Sequence, residues 1–269
     1  MAELRAEGIV HVYSDGGVRA LDGVDLAIGA GERVALVGQN GSGKTTLVRH
    51  LNGLLRPSEG HVTVDGTDGA TMTVAQLATR VGLVFQDPDR QIFAGSVRAE
   101  VEFGPRNLGR SGHELRAAVA DALAATGLTA EEDTNPYDLG ASRRKLLAIA
   151  SVLAMRTPVL VLDEPTTGQD ARGLELVRSV VASVAGEGRT VIAISHDMRF
   201  VAETFERVVV MREGRIILDG TPATVFGRES WETLRSTYLE PPLAATVGDR
   251  LGLGSTPTDA ILIAALAAQ

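Results

Sequence analysis

Cysteine is absent from the 269-residue chain. That absence excludes a disulfide scaffold, a thiolate zinc site and a cysteine nucleophile, and it fits a reducing compartment. Long apolar runs are missing too. The longest, Leu146 to Met155, is ten residues broken by Ser151, against the roughly 20 that a bilayer crossing needs. The opening Met1-Ala2-Glu3-Leu4-Arg5-Ala6-Glu7 carries acids and no apolar core, so no secretory leader is expected. The expectation is a soluble, intracellular protein. Clustered positive charge is also lacking: with a formal net charge of -8 and a pI near 5.2, the chain does not read as a nucleic-acid platform, which needs grouped Lys and Arg. Lysine itself is scarce. Of 26 basic residues 24 are Arg, and the two Lys are Lys44 and Lys145, which makes Lys44 conspicuous.

What is present is a pattern of strands and helices. Apolar and polar residues alternate through Ile9, Val12 and Tyr13, a turn at Asp15-Gly16-Gly17 follows, and alternation resumes at Val24, Leu26 and Ile28, which predicts antiparallel strands. The continuous run Val34-Ala35-Leu36-Val37 suits a strand buried on both faces. A Gly-rich loop and a helix over Thr45 to Leu54 come next. Further strands are expected at Gly60–Asp65, Val81–Phe85, Val159–Leu162, Val191–Ile194 and Val208–Met211, with a helix over Gly173–Val184. Helical spacing fills Val97 to Met155, with breaks expected at Gly104-Pro105 and Asn135-Pro136. The alternation implies an α/β fold with a mainly parallel, doubly wound sheet, an N-terminal antiparallel β subdomain and an inserted helical subdomain at about 88–156. Residues 1–227 read as the main domain, and 228–269, with Pro241-Pro242 and an apolar end at Ala260–Ala268, as a small extension.

Gly38-Gln39-Asn40-Gly41-Ser42-Gly43-Lys44-Thr45 fits the phosphate-loop pattern G-x-x-x-x-G-K-[ST], between a buried strand and a helix as its mechanism requires. The glycines let backbone N–H groups point inward at phosphate oxygens, aided by the helix dipole. Lys44 would reach the β and γ phosphates and Thr45 would hold Mg²⁺. Val159-Leu160-Val161-Leu162-Asp163-Glu164 is a buried strand that delivers two acids at its C-terminal end, where ligands sit in open α/β sheets. Asp163 suits the Mg²⁺ shell and Glu164 can polarise an attacking water. A third strand ends in His196, positioned for a γ-phosphate contact. A fourth ends in Gln86, an uncharged group able to orient water and respond to phosphate loss.

With these motifs in this order, the chain over about residues 4–227 resembles the ATPase subunits of ATP-binding-cassette transporters. That resemblance implies ATP and Mg²⁺ as ligands. It assigns Tyr13 to stack on adenine, Thr46 to the nucleotide site, Gln86 to the Mg²⁺ shell with Thr45 and Asp163, and Asp170, in Thr167-Gly168-Gln169-Asp170, to the loop that faces the opposite subunit. A narrower resemblance, to the energy-coupling-factor importers of vitamins and metal ions, rests on Phe85-Gln86-Asp87-Pro88-Asp89-Arg90-Gln91-Ile92-Phe93, on Phe103-Gly104-Pro105-Arg106-Asn107-Leu108-Gly109 and on Leu239-Glu240-Pro241-Pro242. It implies an integral membrane coupling subunit, a substrate-binding membrane subunit, a homodimer or a heterodimer with a second ATPase, no nucleic acid, and a place at the cytoplasmic face of the membrane.

Two positions depart from the family pattern. Where the signature L-S-G-G-Q belongs, the residues are Leu139-Gly140-Ala141-Ser142-Arg143, and the residue before Asp170 is Gln169 in place of the usual Leu. Ser142 is expected to cap the helix from Arg143 onward, so that the helix dipole and a nearby Arg still meet an anion. The departure opens an alternative, a regulatory ATP-binding subunit with little turnover, working beside a second ATPase. A P-loop kinase is disfavoured by Glu164 with His196. A GTPase is disfavoured by the lack of a guanine motif, since Lys145 lies in Arg143-Arg144-Lys145-Leu146. The helical insert is too short for the coiled coils of DNA-repair relatives.

Overall fold

The alternating N-terminal residues form β1 (Leu4–Val12) and β2 (Arg19–Ile28) in the computed structural model, which describes residues 3–14 and 16–268. Asp15 of the expected turn lies outside the described residues, as do Met1 and Ala2 of the opening segment. Next come β3 (Arg33–Val37), α1 (Lys44–Leu51), β4 (Glu59–Val64), β5 (Thr67–Asp68), α2 (Val74–Ala78) and β6 (Val81–Val84). The helical insert contributes α3 (Val97–Asn107), α4 (Gly112–Ala125) and α5 (Ala141–Leu153). After it follow β7 (Val159–Asp163), α6 (Ala171–Gly186), β8 (Thr190–Ile194), α7 (Met198–Thr204), β9 (Arg207–Arg212) and β10 (Arg215–Gly220). The chain closes with α8 (Pro222–Val225), α9 (Trp231–Arg235), α10 (Leu243–Arg250) and α11 (Asp259–Ala267). Among the described residues no helix is long and apolar enough to cross a membrane.

Two sheets organise these elements. The smaller, in the order β2-β1-β4-β5, is antiparallel. The larger, in the order β10-β9-β3-β8-β7-β6, is parallel except for β10 at its edge. Because side chains alternate along a strand, each central strand feeds two cores. In β8, Val191 and Ala193 pack with the helical layer, whereas Ile192 and Ile194 pack with the antiparallel sheet, α1 and α2. All five residues of β7 and of β8 are buried, which explains the apolar runs Val159–Leu162 and Val191–Ile194 within them.

The expected break at Gly104-Pro105 is not there. Helix α3 continues through Pro105 because Val97, Val101 and Pro105, four residues apart, form its buried stripe, and the helix ends soon after the lost N–H bond. Gly104 serves packing instead, since a Cβ there would lie 2.6 Å from the Met155 side chain. The break at Asn135-Pro136 is real and starts a short turn of 3-10 helix, Pro136–Asp138. In the segment from residue 228 onward, Leu234, Leu239 and Ala245 join the same core as Leu160 and Leu162 of β7.

Candidate functional site

Strands β3, β8, β7 and β6 are neighbours in that order and run parallel, so their C-terminal ends open on one edge. Each end delivers a group anticipated from the sequence: the loop Gly38 to Lys44 after β3, His196 after β8, Asp163 and Glu164 at the end of β7, and Gln86 two residues past β6. Ligands occupy such edges in parallel α/β sheets. Here the edge is a cleft of about 480 Å³ lined by Tyr13, Asn40 through Thr46, Gln86, Asp163, Glu164 and His196.

The loop is shaped by close approach. A Cβ at Gly38 (φ +147°) would lie 2.2 Å from the Met211 carbonyl oxygen, and one at Gly43 (φ +102°) 2.6 Å from that of Ala20. Only glycine tolerates both the space and the dihedrals. The Lys44 ammonium donates to the carbonyls of Gly38 (2.7 Å) and Gln39 (2.9 Å). It is 6% exposed, and burial lowers its pKa against the pull of Glu164 and Asp163. Helix α1 begins at Lys44, turning its free N–H groups towards the cleft.

Thr45 Oγ1 donates to Asp163 Oδ2 at 3.1 Å. The other oxygen, Oδ1, is buried with no hydrogen-bond partner among the described residues. Burial pushes the Asp163 carboxyl up, as expected for an oxygen that has exchanged water for nothing yet. A hydroxyl beside an unpartnered carboxylate oxygen is a hard-oxygen donor set that fits Mg²⁺.

Glu164 sits just beyond β7 in the left-handed region, at φ +51°, a conformation uncommon outside glycine and characteristic of functional turns. Its N–H donates to the Ile194 carbonyl at 3.0 Å, and its buried Oε1 lies 2.9 Å from His196 Nε2 without the alignment of a hydrogen bond. Burial pushes the Glu164 carboxyl up to about 7, with Lys44 opposing. Burial, then Lys44, holds the His196 imidazole below its usual value. A carboxyl titrating near neutrality faces a neutral imidazole, an arrangement suited to proton transfer at physiological pH. Tyr13 stands at the rim, its hydroxyl 3.1 Å from Thr46 Oγ1 and its ring edge-on to His11.

Ser142 and Asp170 do not line this cleft. They lie in a second cavity of about 440 Å³ with Arg143, Arg172 and Gly127. Ser142 is not a cap: the helix starts earlier, with Gly140 as N-cap and no side-chain cap bond, because Leu139 and Gly140 are already extended. Its hydroxyl donates instead to Gln169 Oε1 (2.7 Å), and Gln169 Nε2 donates back to the Ser142 carbonyl (3.4 Å). The two departures from the family pattern therefore touch. Asp170 caps α6, accepting from the Gly173 N–H at 2.7 Å.

Sequence reasoning missed two features. Val18, Arg19 and Ala20, where β2 begins, wall the cleft, and no short motif in the sequence marks them. Lys145 is buried against the main-chain carbonyl of Gln86, and its signal was the scarcity of lysine.

Residues 21–167 match the family described as ABC transporter. The energy-coupling factor transporter ATP-binding protein EcfA1 of Symbiobacterium thermophilum is 44% identical over 261 residues, covering 94% of this chain and 90% of that protein. The cobalt import ATP-binding protein CbiO of Rhodobacter capsulatus is 40% identical, with 89% and 85% covered. A putative ABC transporter ATP-binding protein of Caldanaerobacter subterraneus is 42% identical over 249 residues, and the chain spans only 43% of its length. Among solved structures, cbiO1 from Clostridium perfringens, part of the ABC transporter complex cbiONQ, superimposes with a TM-score of 0.76 at 36% identity, over 93% of this chain and 98% of that one. The ATP-binding cassette MJ0796, in a dimeric post-hydrolysis state bound to ADP and phosphate, gives 0.74 at 25% identity, over 81% and 98%. The chain with this phosphate loop, acid pair and histidine belongs to the ATPases of the ATP-binding-cassette transporter family, in the branch of the energy-coupling-factor ATP-binding subunits.

Proposed function

We propose that this chain hydrolyses ATP to power an energy-coupling-factor type importer of a vitamin or a transition-metal ion. It would dock at the cytoplasmic face of the membrane on an integral coupling subunit, beside a substrate-binding membrane subunit. One observation carries the reading: Lys44, Thr45, Asp163, Glu164, His196 and Gln86 meet in a single cleft, although they span more than 150 residues of sequence. Each supplies a part that phosphoryl transfer to water requires.

Lys44 and the N–H groups of residues 41 to 46 would hold the β and γ phosphates, and Tyr13 would cover the adenine. Thr45, Asp163 and Gln86 would hold Mg²⁺, which when bound neutralises charge on the phosphate oxygens. Glu164 takes the proton of the attacking water. His196 stands 2.9 Å from that carboxylate and would stabilise the charge that develops on the γ phosphate. Gln86 carries the state of the cleft to the helical layer and hence to the membrane partner. Ser142 and Asp170, in their separate cavity, would complete the site of a second subunit. The presence in Symbiobacterium of two relatives, EcfA1 and EcfA2 at 44% and 41% identity, supports pairing with either a second copy or a second ATPase. The regulatory alternative is not favoured, since Glu164 and His196 remain in place and the relatives carry transporter names.

Phosphate release by wild type and Glu164→Gln tests the reading. The variant should bind ATP and turn over at least about 100-fold more slowly, the lower range of a lost general base. Equal rates would refute hydrolysis through Glu164. Purification from membranes under gentle extraction should bring the integral partners with the chain.

A further inference from the structure

Lys145 is the second of two lysines in a chain that places Arg at 24 of its 26 basic positions. It is 3% exposed on α5, and its ammonium donates to the carbonyl of Gln86, 59 residues away in sequence. Burial lowers its pKa, against the pull of Asp163, Glu164 and Asp87. Burying a cation costs several kcal/mol unless its surroundings repay it, so packing alone is a poor reason for Lys here. A lone carbonyl in a closed space suits a compact ammonium better than the planar fork of Arg.

Its neighbours show what the contact belongs to. Arg144 pairs with Asp89 at 3.3 Å. Gln91 accepts from the Phe85 N–H (3.0 Å) and donates to the Ala148 carbonyl (2.8 Å) and Ser151 Oγ (2.9 Å). The stretch from residue 85 to 91 is thus fastened along α5 at three heights. Of the three, only Lys145 lies beside the acids of the cleft. The same helix begins at the second cavity, where Ser142 sits one turn before Lys145.

We propose that Lys145 is a positioning residue for ATP turnover, clamping the Gln86 main chain to α5 so that the helical layer and the cleft that holds Asp163 and Thr45 keep one register. The proposal deepens the hydrolytic reading and rests on it. Any shift of α5 moves the Gln86 carbonyl with it, which gives the cleft a rigid link to the surface where a second subunit would bind. Loss of the clamp leaves nucleotide contacts through Lys44 intact and displaces Gln86.

Phosphate-release kinetics of the full chain test this. Lys145→Met should lower kcat on the order of tenfold, the scale of a misplaced group, with KM for ATP changed less than about twofold. In a Gln86→Ala background the same substitution should cost less than about twofold, because the residue being positioned is gone. Independently of turnover, hydrogen exchange across residues 85–91 of the nucleotide-free protein should be faster in Lys145→Met. Lys145→Gln, which removes the charge and shortens the reach, serves the same comparisons if the Met variant does not fold. Unchanged exchange, a loss wholly in KM, or losses that multiply in the double variant would overturn the clamp. Wild type indistinguishable from Glu164→Gln would instead overturn the hydrolytic reading, and the exchange result would still decide the clamp.

Discussion

Replacing Glu164 by Gln should stabilise the nucleotide-free protein in mild alkali and leave it unchanged in acid. Glu164 is 4% exposed, and burial moves its carboxyl from an ordinary 4.5 to about 7 even with Lys44 opposing. A folded-state value above the unfolded one means that the folded protein binds more protons between pH 4.5 and 7. Stability from this group is therefore fully present below about pH 4.5 and is lost as pH rises through 7. At about 1.4 kcal/mol per pH unit the loss amounts to about 3 kcal/mol above pH 7. Gln has the same shape and cannot ionise, so it escapes that loss. Glu164 meets Thr167 through Oε2 and His196 through Oε1, and Gln keeps one of these oxygens as an acceptor. For a chain of this size 3 kcal/mol corresponds to about 6–12 °C in melting midpoint. The assay is thermal unfolding of both proteins with chelator and without nucleotide, at pH 8.5 and pH 5. The gain should be near its maximum at pH 8.5 and mostly gone at pH 5. Equal gains at both values, or a Gln variant less stable at pH 8.5, would refute the argument that burial raises this carboxyl. The same burial that weakens the fold places the titration of Glu164 where a general base works best.

Three further outcomes are expected. Ser142→Ala and Gln169→Leu, measured singly and together by urea unfolding, should show a coupling of about 1 kcal/mol from their reciprocal hydrogen bonds; additive effects would show that the pair contributes nothing. Gly38→Ala should cost several kcal/mol of stability and abolish ATP binding measured by calorimetry, since its methyl would meet the Met211 carbonyl at 2.2 Å in a left-handed backbone; a well-folded variant of normal affinity would contradict this. Leu234→Ala should destabilise the whole cassette by about 2–5 kcal/mol in a single unfolding transition, because Leu234 is fully buried in the main core; a separate low-temperature transition would mark residues from 228 onward as an independent unit.

The phosphate loop, the acid pair at the end of β7 and the parallel sheet were legible because each depends on a short stretch. A buried strand needs four or five apolar residues in a row, and Val34 to Val37 or Val191 to Ile194 supply them whatever lies elsewhere. The loop needs its glycines and Lys44 at fixed spacing. Placing those motifs at the ends of successive strands was enough to bring them together, since parallel strands must all present their C-terminal ends to one edge.

Other features depended on partners distant in sequence. Pro105 reads as a helix breaker, yet α3 runs through it because its ring completes a buried stripe with Val97 and Val101. Ser142 reads as a cap, and its hydroxyl goes instead to Gln169, 27 residues on. The residues past 228 read as an appendage, and Leu234 and Leu239 prove to be core.

The scarcity of lysine marked Lys44 at once, because the loop around it states its purpose locally. Lys145 carried the same signal with no local motif to interpret it. Only the fold, by laying α5 along the Gln86 turn, gave that second ammonium a carbonyl to hold and three acids to face. Sequence alone determined the chemistry on offer, since strand periodicity and loop spacing are near-neighbour properties. Tertiary structure decided which buried groups meet, since hydrogen bonds and desolvation act through space.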